Sequence, residues 1–271
     1  MSHHQFLNQL GAGSALVHSD LSRLVAVGRS LGIRTTRENL LESAMRTIES
    51  IVGLPREKLV FPAFNYEFSA SRLFDVQRDP VQVGALPEML RTDGRLQRTH
   101  VPFFSFLMEE IAAVRPGEEI DPFGKGSFFA DLAEGGGLML MFGAGIKALT
   151  FIHHIESSFE AGPLYRYDKV FNGEILYRDT RTDCAVRMHV RPHGISIQYD
   201  WEKIASDLFF SEAMVEVSGF NDLLLISASH AKRVLLERLH EDPLYLLTPD
   251  SRHEFRAVHR PLTRIKVADF E

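Results

Sequence analysis

"GLMLMFGAGIKALTFIHHIESSFE", residues 137–160, changes its periodicity across a glycine-bearing turn. Leu138 to Phe142 form a short, unbroken apolar run bounded by glycine, the pattern of a strand buried on both faces. "LTFIHHIESSFE" (149–160) reads instead as a helix with a mixed face. A buried strand feeding a helix is the unit of an α/β fold.

The same alternation extends outward. "SALVHS" (14–19) reads as a short buried strand, "DLSRLVAVGRSLG" (20–32) as an amphipathic helix, and "TRENLLESAMRTIESIVG" (36–53) as a second helix closed by Gly53. "KLVFPAF" (58–64) is the next strand, followed by an irregular stretch over 65–84. Helices are expected at 85–92, 103–114 and 127–134, the last capped by Ser127, with a turn-rich loop at 117–126. "YRYDKVFNGEILYRDT" (165–180) places Asn172–Gly173 between strand-like runs, a hairpin signal. Strands at 184–191 and within 213–229, and helices at 200–210 and 230–242, complete the series. The expected architecture is a mixed three-layer α/β/α sandwich with an added β-hairpin region. Without a Pro/Gly/Ser hinge, residues 1–271 are expected to form a single domain.

Composition narrows the function. The 271 residues are 45% hydrophobic, enough for a sizeable core. Lys plus Arg number 30 against 36 Asp plus Glu, a net charge of −6, which argues against a general nucleic-acid binder. Cys184 is the only cysteine, so no intrachain disulfide forms, and its alternating context reads as packing. "MSHHQFLNQLG" lacks a signal peptide's apolar region, and the longest apolar runs fall short of the roughly 20 residues of a membrane helix. The expectation is a soluble, cytoplasmic protein with no membrane or nucleic-acid partner, monomeric or homodimeric.

Within the opening stretch, Thr150, His153 and Glu156 are spaced i, i+3, i+6, so neighbours in the set meet on a helix. A histidine beside a carboxylate is a sound general base, because the carboxylate fixes the ring tautomer and stabilises the imidazolium. The same spacing also fits a helix whose His and Glu face water. A metal site is disfavoured, since the chain has a single His-x-x-Glu and no second copy. His154 points about 100° away from His153. The glycine-bearing "DPFGKGS" has no phosphate-loop spacing. "VHSDLS" offers either a helix cap or an anion site.

Five segments stand in a telling order: "VHSDLS"; "FPAFNYEF"; "GALPEMLRTDGRLQRTHVPFFS", with Gly84, Glu88, Arg91, Arg98, Thr99, Pro102 and Ser105; "FGKGS", with Phe123, Gly124 and Ser127; and Thr150, His153 and Glu156. In this order they resemble the aminoglycoside 3-N-acetyltransferase family, over most of residues 14–175. Ala63 departs from the family's usual threonine, and His100 is followed by Val101 rather than directly by Pro102. "FNY" and "YRYDKVFNG" look more like the branch associated with amino-sugar biosynthesis. The resemblance implies acetyl-CoA as cosubstrate, no metal, and direct transfer of acetyl to a small-molecule amine. It implies His153 as base, Glu156 as its orienting partner, and Thr150 or a backbone N–H as oxyanion donor. It implies cofactor contacts at His18, Ser19, Leu21, Ser22, Ser105, Phe123, Gly124 and Ser127, and acceptor contacts at Asn65, Tyr66 and Glu88. The acceptor pocket is expected from loop 65–83 and hairpin 165–180. An amino sugar or aminoglycoside is the expected acceptor. A small amine such as an aminophosphonate, met by Arg72, Arg91 or Lys169, is the alternative, as is a non-catalytic homologue that binds coenzyme A.

Overall fold

The computed structural model describes residues 2–111, 119–259 and 263–266. Its strands are β1 (Ala15–Ser19), β2 (Leu59–Pro62), β3 (Leu73–Asp75), β4 (Gln97–Arg98), β5 (Phe106–Met108), β6 (Glu119–Ile120), β7 (Leu138–Phe142), β8 (Tyr167–Tyr177), β9 (Thr180–Val190), β10 (Met214–Val217) and β11 (Phe220–Ser227). The helices are α1 (His3–Leu10), α2 (Leu21–Ser30), α3 (Leu40–Val52), α4 (Phe68–Ser71), α5 (Ala85–Asp93), α6 (Phe128–Glu134), α7 (Ile152–Ser158), α8 (Trp201–Phe210), α9 (Ala228–Glu241) and α10 (Pro249–Val258).

A seven-stranded mixed sheet, ordered β10-β11-β7-β1-β2-β5-β4, forms the centre. β1 runs parallel to β7 along its full length and parallel to β2, while β11 and β5 are antiparallel to their neighbours. Alternate side chains of these strands enter different cores. Ala15, Val17, Leu138, Leu140 and Phe142 pack with α2, α3 and α5. Leu16, Met139 and Met141 pack in a second cluster with α6, α7, α9 and residues of the second sheet. Every β7 residue is buried, as expected of a strand covered on both faces. The three-layer sandwich is therefore present, and the added region is a four-stranded mixed sheet, β3-β8-β9-β6.

Several sequence expectations are corrected. Asn172–Gly173 does not turn the hairpin; both lie inside β8, paired with Ala185 and Cys184. Arg178 and Asp179 make the two-residue turn, with φ of 47° and 61°, as a type I′ hairpin requires. Gly173 has a different purpose. A Cβ there would lie 2.7 Å from Phe68 Cζ and closer still to the Arg72 carbonyl, whose oxygen accepts the Glu174 N–H at 2.9 Å. Glycine lets β3 and α4 close against β8. The stretch 65–84 is correspondingly ordered, since it supplies α4 and β3. The helix expected at 103–114 is absent up to residue 111; Phe106–Met108 pair with β2 and β4 instead, and 112–114 fall outside the described residues. The loop expected at 117–126 supplies β6. Helices α1 and α10 were not anticipated.

The Gly173→Ala variant is expected to lose about 1–3 kcal/mol through steric overlap with Phe68 and Arg72. Asp179→Gly should lose none, because the turn already requires positive φ. Urea unfolding of the two variants checks both.

Candidate active site

The site is assembled beyond the carboxyl ends of the three parallel strands, where open α/β sheets bind ligands. β1 ends at Ser19 and leads into α2; β2 leads into Ala63–Tyr66; β7 leads through Gly143 and Gly145 into α7. Gly143 and Gly145 have φ of 71° and 68°, and the tight path they allow is followed by a 3-10 turn at Ile146–Ala148. That turn delays the helix, so α7 starts at Ile152 rather than Leu149. Thr150 thus precedes the helix, and its carbonyl accepts the His153 N–H at 3.1 Å.

His153 Nδ1 lies 2.9 Å from Glu156 Oε2. Glu156 is 1% exposed and accepts further bonds at Oε1, from the Tyr165 hydroxyl at 2.7 Å and the Tyr199 hydroxyl at 2.5 Å. Arg166 Nε lies 3.3 Å from Oε2, and Arg166 Nη2 donates to the Tyr199 oxygen at 2.8 Å. Burial alone would raise the Glu156 carboxyl. The Arg166 guanidinium and the His153 hydrogen bond outweigh it and hold the group well below the usual carboxylate range. Burial and the neighbouring carboxylate push both tyrosines up, so they stay protonated and donate. Burial lowers the His153 pKa, helped by the Arg166 and Arg191 charges and opposed by the Glu156 bond. His153 is therefore neutral at neutral pH. An Nδ1–H donated to Glu156 leaves the Nε2 lone pair free.

Two clefts, each of about 690 Å³, meet at this point. One is lined by His153, Tyr199, Arg191, Asp200, Trp201 and Thr248. The other is lined by His18, Ser19, Leu21, Ser22, Tyr66 and Gly84. Thr150 and Lys147 line both.

The expected residues divide accordingly. His18, Ser19, Leu21, Ser22 and Tyr66 come together in one cleft. His18 is 7% exposed, its pKa pushed down to about 4 by burial; its Nε2 and Ser19 Oγ are buried without a hydrogen-bond partner among the described residues. Asp20 caps α2, accepting the Ser22 N–H at 2.8 Å and the Ser22 hydroxyl at 2.5 Å, so those donors of the helix's first turn are engaged. Ser105 is fully buried; its hydroxyl donates to the Ala63 carbonyl at 2.6 Å and accepts from Arg98 Nε at 2.9 Å. Asn65 binds the Pro80 carbonyl and the Glu67 N–H, and Glu88 binds the Val81 N–H and Arg91, so both fasten the 76–82 loop rather than face a cleft. Ser127 caps α6 beside a separate cleft of about 350 Å³. Phe123 packs edge-on to the His153 ring at 5.1 Å, and Gly124 lies against Asp121. His154 is buried on another side of α7, bonded to the Phe123 carbonyl at 2.7 Å and Lys232 at 3.0 Å.

Sequence reasoning missed Arg166, Tyr165 and Tyr199 as partners of Glu156. Tyr165 and Arg166 lay in a segment noted for other reasons, and nothing local marks Tyr199, whose contact spans 43 residues. Opposite residues 147–153, the cleft beside His153 is walled by Arg191 and residues 197–202 and 248–249, not by loop 65–83 or hairpin 165–180. Among the expected cations, Arg91 is bound to Glu88 and the Gln77 carbonyl, and Arg72 stacks on Phe171. Lys169 lies on β8. No group of three or more metal-ligating side chains occurs among the described residues, and no described helix is long and apolar enough to cross a membrane.

Arg166→Met removes the ionic partner of a buried carboxylate and should cost about 3–5 kcal/mol of stability. Tyr199→Phe should cost less, about 1–3 kcal/mol, as Glu156 keeps its other donors. Thermal and urea unfolding rank the two; equal losses would contradict the dominance of the Arg166 charge.

The family profile of aminoglycoside 3-N-acetyltransferases matches residues 16–236. No match was found among curated protein sequences. Among solved structures, the chain is similar to the aminoglycoside acetyltransferase AAC(3)-Xa, with 18% identity, 91% of this chain and 94% of that chain covered, and a TM-score of 0.62. It is similar to AAC-IIIb in a binary complex with CoASH, with 18% identity, 89% and 97% covered, and a TM-score of 0.63. The YokD protein from Bacillus subtilis matches at 15% identity, 89% and 94% coverage, and a TM-score of 0.59. These likenesses concern the fold, whereas the profile covers most of the sequence, from β1 into α9. The chain therefore belongs to the aminoglycoside 3-N-acetyltransferase family and is an acyltransferase.

Proposed function

We propose that the protein transfers acetyl from acetyl-CoA directly to the amine of an amino sugar or aminoglycoside, with His153 as general base. The observation that carries this reading is the His153–Glu156 pair beside the junction of two clefts that share Thr150. One cleft would hold each substrate.

The first cleft suits the acetyl donor. His18 Nε2 and Ser19 Oγ are buried polar atoms there without partners among the described residues, and a bound molecule that hydrogen-bonds would satisfy them. His18, Ser19, Leu21 and Tyr66 would line its path. When bound, acetyl-CoA supplies a thioester carbonyl; the amine nitrogen bonds to that carbon, the C–S bond breaks, and the thiolate leaves.

The protein's own groups manage the proton and the geometry. An ammonium has no lone pair, so the acceptor attacks as the neutral amine, its extra proton already lost to solvent. Bonding to carbon makes that nitrogen cationic, and neutral His153 takes its second proton at Nε2, while Glu156 holds Nδ1–H and balances the imidazolium that forms. The thiolate then receives that proton. Thr150, on the wall common to both clefts, is the proposed oxyanion donor; its hydroxyl rests 3.3 Å from the Ala148 carbonyl and would rotate to the carbonyl oxygen. Phe123 packs against the His153 ring and restricts its tilt.

A thiol-release assay with acetyl-CoA and a panel of amino sugars tests the reading. His153→Ala should reduce kcat about 10²–10⁴-fold; wild-type turnover by this variant would eliminate His153 as base. Neutral His153 is the active form, and its pKa is lowered, so kcat/KM should fall on the acid side with a midpoint below the ordinary histidine value of about 6.5. Glu156→Gln removes a group that raises the His153 pKa. The midpoint should therefore move further down while the plateau drops, as a pH–rate profile would show.

A further inference from the structure

The cleft beside His153 carries two cations that no side chain among the described residues neutralises. Lys147 stands on the 3-10 turn before Thr150, and Arg191 immediately follows β9. Both line the cleft and both are exposed. Among the described residues, no hydrogen bond or ion pair engages either one. Arg191 lies over the Tyr199 ring at 5.7 Å, a cation–π contact that places the guanidinium against the cleft wall without consuming its charge. That charge reaches His153 and helps depress its pKa.

The acidic groups on the same wall are Asp200 and Glu202. Asp200 is the N-cap of α8, its carboxylate accepting the Lys203 N–H at 3.1 Å, and Glu202 lies in that helix's first turn. Both answer the positive end of α8. The N-terminus of α10, at Thr248 and Pro249, adds a second positive helix end to the wall. Asp200 is thus committed to a helix terminus by a hydrogen bond, and Glu202 answers the same terminus by position alone, while neither cation faces a negative helix end on this wall. A polycationic acceptor would meet two like charges next to the base, whereas an anion would pair with both.

We propose that the acceptor amine carries an anionic group, a carboxylate or a phosphate, which Lys147 and Arg191 hold while the amine faces His153. The proposal rests on the acetyltransferase reading of this site and names the acceptor class within it. Lys147 reaches both clefts, so it also fastens the anionic acceptor at the junction with the donor.

The test compares glucosamine, glucosamine 6-phosphate, the corresponding aminouronic acid and apramycin in the acetyl-CoA thiol-release assay. One or both anionic acceptors should exceed glucosamine at least about tenfold in kcat/KM, as loss of a charge-assisted contact typically costs one to two orders of magnitude; the two anionic arms separate phosphate from carboxylate. The Lys147→Gln/Arg191→Gln double variant should bring anionic and neutral acceptors to within about threefold of each other, and Arg191→Lys, which keeps the charge but gives up the guanidinium stack, should keep more of the preference than Arg191→Gln. An equal or better rate with glucosamine or apramycin would overturn the proposal. So would a Lys147→Gln variant that raises the KM for acetyl-CoA alone, since the lysine would then serve the donor. Calorimetric titration of the same amines into His153→Ala protein separates this proposal from the reading it rests on. Preferential anion binding without thiol release by the wild type supports the anionic pocket and refutes the acetyltransferase reading. Absence of preference in that titration overturns the pocket.

Discussion

The arrangement depends on one carboxylate that has almost no access to water. Glu156 is ionised in the interior, and an unpaired charge there would cost several kcal/mol. Its partners come from three places: His153 on the same helix, Tyr165 and Arg166 just before β8, and Tyr199 just before α8. Helix α7 grows out of the central sheet, and β8 begins the second sheet. The ion cluster is satisfied only when these segments dock. The carboxylate that orients the proposed base is therefore also the group through which the two parts of the fold meet.

The position of the clefts follows from strand direction. β1 and β7 run parallel over five residues, so their carboxyl ends open at one edge, and the connections that leave that edge must diverge. One goes to α2 and the other to α7. The space between them is the first cleft, and the second lies between α7 and the starts of α8 and α10. Thr150 reaches both because the 3-10 turn keeps it outside the helix. An earlier helix start at Leu149, as the periodicity predicts, would have drawn Thr150 into the first helical turn.

What was legible in the sequence was local. β1, β7, α2, α3 and α5 were readable because each carries its own periodicity and its own punctuation, such as Gly53 ending α3 at φ 67°. The His153–Glu156 contact was readable because three residues on a helix is a contact. Asn172–Gly173 misled because its composition satisfies a turn, yet Gly173 answers the crowding of Phe68 and Arg72 from a distant segment. The strand at Phe106–Met108 reads as a helix in the sequence because its apolar content is set by pairing with β2 and β4, not by periodicity. Ser105, Asn65 and Glu88 carry family-like residue types, but whether such a side chain faces a ligand or a neighbouring loop depends on tertiary placement. Tyr199 and Arg166 meet Glu156 only through the fold.

The charge balance around His153 also explains why the pair needs so many attendants. A carboxylate bonded to an imidazole raises its pKa, and an isolated pair of this kind would hold the ring protonated, unable to accept a proton. Arg166 cancels the Glu156 charge at the oxygen that meets His153, and Tyr165 and Tyr199 both donate to the other oxygen. The Glu156 bond then fixes the ring, while burial, helped by the Arg166 and Arg191 charges, favours neutral imidazole. When the ring takes a proton, Glu156 is already in contact with the new charge, so stabilisation arrives without rearrangement. In the proposed mechanism Glu156 thus orients the resting base without saturating it, and the stabilising interaction is held back for the charged state that would form during transfer.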